Sequence, residues 1–202
     1  LKREDPNDAV FSFKEIKLNK SKRKLIVGTS SIRRKVQLQK LNSRIQVKDI
    51  RGNVGTRIKK VGEGKYDCII LATAGLKRLK IRNNFKKIDV RNIIPSAGQG
   101  VIAIVTSKNK IIEKLIKELN HTRTFIESDC ERLFLKSLDG SCKTPIGAIA
   151  KIVKKEKKDY LFFRYMASSL DGKRLVKGNT FFKLKSYKKM SLDLGKKIKK
   201  LI

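Results

Sequence analysis

Between Lys24 and Leu79 the chain alternates short apolar runs with amphipathic stretches, and that order restricts the fold more than any other feature. Leu25-Ile26-Val27 reads as a strand over Lys24 to Gly28, and Ile32 to Leu41 has helical periodicity. Ile45 to Ile50 alternates as a strand, and Asn53 to Val61 carries Val54, Ile58 and Val61 on one helical face. Cys68 to Ala72 is an apolar run of strand length, followed by a short helix near Gly75 to Leu79. Strands joined through helices return to the same edge and run parallel. This half therefore predicts an α/β fold with a mainly parallel sheet and helices on both faces.

The pattern then changes. Val101 to Val105 reads as another apolar strand, before a helix with Ile111, Ile112, Leu115, Ile116 and Leu119 in register. Thr124 and Glu127 have the spacing of a capping box at the start of a helix reaching about Leu138, with His121 capping or packing near its start. Three strands are predicted at Pro145 to Val153, Tyr160 to Ser168 and Leu175 to Leu184, then a closing helix from Ser186 to Ile202. This half predicts a small α+β domain with a three-stranded antiparallel sheet. There are no internal repeats.

Apolar residues make up 40% of the 202, which suits globular domains rather than a disordered chain. No apolar run approaches the ~20 residues of a membrane-spanning helix, and the start shows no signal-peptide pattern. The cytoplasm is the expected compartment. Residue 1 is Leu, so a processed, cut or incomplete N-terminus is expected. The net charge of +33 raises the question of nucleic acid. The excess is mostly Lys spread over every segment, there is no Trp, and along the sequence aromatics are not interleaved with Arg as a stacking platform requires. Neither a nucleic-acid nor a membrane partner is expected.

Three cysteines without metal-ligand spacing argue against a disulfide framework and against a zinc site. Cys68 lies in an apolar run and Cys130 on the apolar face of a helix, so both read as core residues. Cys142 differs. It lies in Leu138-Asp139-Gly140-Ser141-Cys142-Lys143-Thr144-Pro145, a setting that exposes sulfur beside a cation that favours thiolate. Chemistry at Cys142 and an incidental surface cysteine are the competing readings.

The segment Val27-Gly28-Thr29-Ser30-Ser31-Ile32-Arg33-Arg34 joins a strand to a helix and offers hydroxyls and free N–H groups to an anion. Arg33 and Arg34 stand in the first helical turn, where cations are unfavourable, so something negative should lie there. Arg51 and Arg57 follow the next strand and Arg78 the third. Parallel strand ends share an edge, where open α/β sheets bind ligands. The five arginines could converge on a carboxylate or phosphate, which Arg binds better than Lys.

With these residues in place, the chain resembles hydroxymethylbilane synthase, or porphobilinogen deaminase. The resemblance rests on Arg3-Glu4-Asp5-Pro6, the Gly28 to Arg34 segment and Ile50-Arg51-Gly52-Asn53-Val54-Gly55-Thr56-Arg57. It continues through Ile70 to Arg78, Gly98-Gln99-Gly100, Glu131-Arg132 and Gly140-Ser141-Cys142, in order and nearly end to end. It implies a dipyrromethane cofactor attached covalently through Cys142, which primes head-to-tail condensation of four porphobilinogens with loss of ammonia. It further implies that Thr29, Ser31, Arg33, Arg34, Arg51, Gly75 and Gln99 bind cofactor, and that Arg57 and Arg78 bind the substrate and growing linear tetrapyrrole.

The family has three domains, of which the first two resemble type 2 periplasmic binding proteins. Residues 1–95 match the second, an α/β cofactor- and substrate-binding domain. Residues 96–119 match a segment that returns to the first, and residues 120–202 match the third, which carries the cysteine loop. The first domain, with the family's acid/base aspartate, has almost no counterpart here. No catalytic acid/base is assigned within the chain, and the residues after Gly98-Gln99-Gly100 should lack sheet partners. The chain alone is expected to be inactive and poorly soluble, and the complete protein a monomer. Ser141 stands where the family usually has Gly, and Val105 where it usually has Glu. Competing readings are a non-catalytic anion- or solute-binding module of periplasmic-binding-protein type, and a basic nucleic-acid binder.

Overall fold

The structure, a computed structural model, describes residues 1–140, 144–155 and 158–202. Strands β1 (Asp8–Phe11), β2 (Leu25–Gly28), β3 (Ile45–Lys48), β4 (Cys68–Ala72) and β5 (Phe85–Lys87) form one sheet in the order β3-β2-β4-β1-β5. β2 is parallel to β3 and β4, whereas β1 is antiparallel to β4 and β5, so the sheet is mixed. The parallel part follows the sequence expectation. β1 and β5 were not anticipated.

Helices α1 (Ile32–Leu41), α2 (Val54–Gly62) and α3 (Thr73–Arg78) follow β2, β3 and β4. Ser31 caps α1 and Asn53 caps α2, each side chain accepting a backbone N–H that the first turn leaves unpaired. β4 shows why both sheet faces are buried. Cys68 and Ile70 pack with Leu25, Val27 and Leu38 on one side, while Ile69 and Leu71 pack with Phe11, Val61 and Leu76 on the other. Each fully buried Leu or Ile contributes about 1.5–3 kcal/mol by removal from water.

The second sheet is β6 (Ile146–Lys155), β7 (Lys158–Ser168) and β8 (Leu175–Lys183), antiparallel throughout. Helices α5 (Thr122–Ser137) and α6 (Tyr187–Lys199) cover one face, over a core that includes Cys130, Phe134, Leu161, Phe163 and Ile198. Gly195 permits the close approach of α6 to α5, since a Cβ there would stand 1.6 Å from the Ser137 hydroxyl. The cap of α5 is His121, whose Nδ1 accepts the Thr124 N–H, rather than a Thr124–Glu127 box. Glu127 instead accepts from the Ile152 N–H, tying helix to sheet.

Val101 to Val105 corrects a second expectation: no strand forms there. A strand needs a ladder partner for its N–H and C=O groups, and none of the described residues supplies one. The helix that follows, α4 (Lys110–Lys117), buries none of its residues. Ile102, Ile104, Val105, Ile111 and Leu115 are exposed, Val105 by 91%. No described helix is long and apolar enough to cross a membrane.

The two sheets meet through apolar and polar contacts. Val36, Ile94 and Met166 form a small core between them, and the Ala148 N–H donates to the Pro95 carbonyl at 2.9 Å. Arg3 grips Glu131 on α5 with two hydrogen bonds, at 2.6 and 3.0 Å.

Candidate functional site

Topology decides what gathers at the site. The C-terminal ends of β2, β3 and β4 share one edge because those strands are parallel. β1 is antiparallel, so its first residue, Asp8, arrives at that same edge opposite Ala72. The turns after β2 and β3 are joined there: the Ser30 hydroxyl donates to the Ile50 carbonyl at 2.6 Å and accepts the Ile50 N–H at 3.1 Å.

Asp8 is the anion that the sequence required beside α1. It is fully buried and accepts from both arginines of the first turn, Arg33 Nη1 at 2.9 Å and Arg34 Nη2 at 2.7 Å. Burial pushes the Asp8 carboxyl up, but the charges and hydrogen bonds of Arg33 and Arg34 outweigh it and hold the group below the usual carboxylate range. Gln99 completes the cluster, its Nε2 donating to the Pro6 carbonyl at 2.6 Å and to Asp8 at 2.9 Å. The turn carrying Gln99 depends on Gly100, which has φ +84° and whose Cβ would stand 2.6 Å from the Glu4 carbonyl oxygen.

Above this cluster lies a cavity of about 200 Å³. Ser31, Arg33 and Arg34 wall one side, and Ser96, Gln99, Thr144 and Ile146 the other. Two guanidinium cations face one carboxylate, so the cluster keeps one positive charge uncompensated. Donor capacity is also left over. Arg33 Nη2 lies 3.5 Å from Gln99 Oε1, longer than an ordinary hydrogen bond, and the buried Arg34 Nε has no partner among the described residues. A buried, unsatisfied, cationic donor set fits a ligand bearing carboxylates.

The remaining predicted residues lie elsewhere. Thr29 is buried beneath the turn, its hydroxyl accepting the Ser31 N–H at 3.2 Å. Arg51 and Arg78 are exposed, Arg57 donates back to the Gly52 carbonyl, and Gly75 has open space at its Cβ position. The structure thus gathers Ser31, Arg33, Arg34 and Gln99 at the cavity and leaves Arg51, Arg57, Arg78 and Gly75 outside its lining. Cys142 lies outside the described residues. Thr144, two positions after it, lines the cavity. Asp8, Ser96, Thr144 and Ile146 were missed. For Asp8 the signal existed, in two arginines at a helix start with no sequence-local counter-charge.

Cys68 and Cys130 are fully buried, and burial pushes both thiols up to about 12, as expected of core residues. On α5, buried Glu131 accepts both Arg3 nitrogens and the N–H groups of Gly98 and Ala150. It ties the Gln99 turn to the second sheet.

Residues 1–114 match the family model described as porphobilinogen deaminase, dipyromethane cofactor binding domain, and residues 125–202 match that of the porphobilinogen deaminase C-terminal domain. A probable porphobilinogen deaminase of Methanosarcina barkeri is 36% identical over 96% of the chain and 61% of the relative. A porphobilinogen deaminase of Prochlorococcus marinus is 37% identical over 98% and 63%, and one of Aliarcobacter butzleri 42% identical over 75% and 50%. The chain therefore spans less than two thirds of the length of these relatives. The two family models, in order and over nearly the whole sequence, establish that the chain belongs to the porphobilinogen deaminase family.

Proposed function

We propose that the chain is the cofactor-binding and C-terminal part of a hydroxymethylbilane synthase, with a dipyrromethane cofactor joined to Cys142 through a thioether. The observation that carries this is the cavity bordered by Arg33, Arg34, Gln99 and Thr144, with spare cationic donors and a net positive charge, Thr144 being two positions after Cys142 in sequence. When bound, the cofactor supplies a free pyrrole α-carbon, to which porphobilinogen joins by its aminomethyl carbon as ammonia leaves and the α-carbon gives up its proton.

The chain's own residues hold and orient. Arg33 and Arg34 would donate to acetate and propionate groups in a fixed geometry, because Asp8 already sets their planes and little side-chain ordering is left for binding. Ser31 adds a hydroxyl at the cavity wall, and Gln99, whose two amide hydrogens are committed to Pro6 and Asp8, holds the Asp8 carboxylate in place. Thr29 supports the Ser31 turn. Arg51, Arg57 and Arg78, at the same sheet edge but outside the cavity, would meet carboxylates of the substrate and lengthening chain, and Gly75 leaves room beside them.

In this reading residues 1–95 form a type 2 periplasmic-binding-protein-like domain, 96–119 belong with the portion of the family fold that the chain does not span, and 120–202 carry the cofactor loop. That other portion would supply the acid/base carboxylate and cover the apolar 101–119 segment. The chain alone would then be inactive, and the complete protein a cytoplasmic monomer. A pyrrole-specific colour reagent on the acid-treated complete protein tests the reading. Colour in the parent and none in Cys142→Ser is expected. Colour retained in the variant would refute attachment at Cys142, and steady hydroxymethylbilane formation by the 202-residue chain alone would refute its dependence on the rest.

A further inference from the structure

Helices α5 and α6 cover one face of the second sheet, and the other face packs against α1 only at its Ile149 and Met166 end. On that other face, pairing brings together residues far apart in sequence. Lys151, Phe162 and Phe181 form one row; Val153, Tyr160 and Lys183 form the next on one side, and Ile149, Arg164 and Asn179 on the other. These alternate with Ala150, Leu161, Phe163 and Phe182, which are in the core, so the rows point outward. The Phe162 and Phe181 rings lie 5.2 Å apart at 57°. The Arg164 guanidinium sits 5.4 Å from the Phe162 ring centre, and the Lys155 ammonium 5.7 Å from that of Phe181. Phe181 is 47% exposed, and Lys151, Lys155 and Lys183 are exposed around it. Aromatics and Arg, expected not to interleave, do so locally within β7 at Phe162 and Arg164, and Lys151 joins Phe162 and Phe181 across the strands.

We propose that this face binds single-stranded nucleic acid. Unpaired bases present flat π surfaces that stack on aromatic side chains, while cations spaced around the rings meet the phosphates. A duplex hides its base faces within the stack, so a single strand is the form that exposed rings can stack on. The charge of +33 favours a polyanion over an apolar partner. This inference does not rest on the proposed synthase function and uses none of its residues.

The test is fluorescence anisotropy of a labelled oligothymidylate titrated with the complete protein at several salt concentrations. Binding that weakens with salt is expected, with Phe162→Ala/Phe181→Ala reducing affinity roughly 10-fold or more. Lys196→Gln/Lys197→Gln, on the solvent side of α6, should change it far less. Circular dichroism checks that the variants fold. If the phenylalanine variant does not, Lys151→Gln/Arg164→Gln, which leaves the rings in place, should reduce the salt slope by about 2. Three results would overturn the proposal: no binding at low salt; binding unchanged in every folded variant of the face, meaning diffuse lysine attraction; or phosphatidylserine vesicle binding lost in the face variants while oligonucleotide binding persists, assigning the face to lipid.

Discussion

Arginines at the strand ends fall into two groups. Arg33 and Arg34 are held on Asp8, with Arg33 also donating to the Ile94 carbonyl and Arg34 to that of Ile70. Arg51 and Arg78 leave the same sheet edge and stay in water. Sequence position treats the two groups alike, yet the antiparallel β1 delivers a carboxylate to one and not to the other. A buried guanidinium needs a fixed partner and thereby acquires a fixed direction. An exposed one needs nothing and keeps its freedom. The first kind can form the rigid wall of a cavity, whereas the second takes a position only when a ligand arrives.

The largest expected effect comes from removing the shared carboxylate. Asp8→Ala leaves two buried cations unpaired and should cost about 3–5 kcal/mol in urea unfolding. Glu131→Gln, which unpairs buried Arg3, should cost about as much, whereas Arg51→Ala and Arg78→Ala should stay within about 0.5 kcal/mol. A small loss on Asp8→Ala would erase the distinction between the two groups.

Acid sharpens it. The Asp8 carboxyl is depressed in the folded chain, so its contribution is fully present above its unfolded value, about 3.9, and is lost as pH falls through the folded value. Stability measured from pH 6 downward should therefore fall less steeply in Asp8→Asn than in the parent, while Arg51→Ala and Arg78→Ala should follow the parent's slope. Thiols extend the same contrast of buried and exposed groups. Burial raises Cys68 and Cys130, so a thiol reagent at pH 8 should reach them only on unfolding. Fast labelling of either in the folded chain would contradict the packing described. The smallest effect is expected at the unpartnered helix α4: Leu115→Glu removes no buried surface and should leave unfolding within about 0.5 kcal/mol.

What was legible in the sequence follows from how local each signal is. α1 and β4 match their expected bounds because each carries its own apolar period. β1 and β5 are four and three residues long, one opening with Asp and the other holding a single apolar residue, so only pairing makes them strands. Val101 to Val105 fails the opposite way, with a strand-like composition and no ladder partner among the described residues. At the site, Ser31, Arg33, Arg34 and Gln99 were nameable because their motifs are contiguous. Asp8 was not, because its role depends on a strand whose direction no local pattern states. The outer row of Lys151, Phe162 and Phe181 was hidden for the same reason: cross-strand neighbours are not sequence neighbours.

The central claim is that the Arg33–Arg34 cavity receives a cofactor anchored two residues before Thr144. The most direct measurement is the mass of the Cys142-containing peptide from a digest of the complete protein. The account predicts an adduct of two porphobilinogen units, each having lost ammonia, on that peptide and on neither the Cys68 nor the Cys130 peptide. An unmodified Cys142 peptide from active protein, or the adduct on another residue, would contradict it.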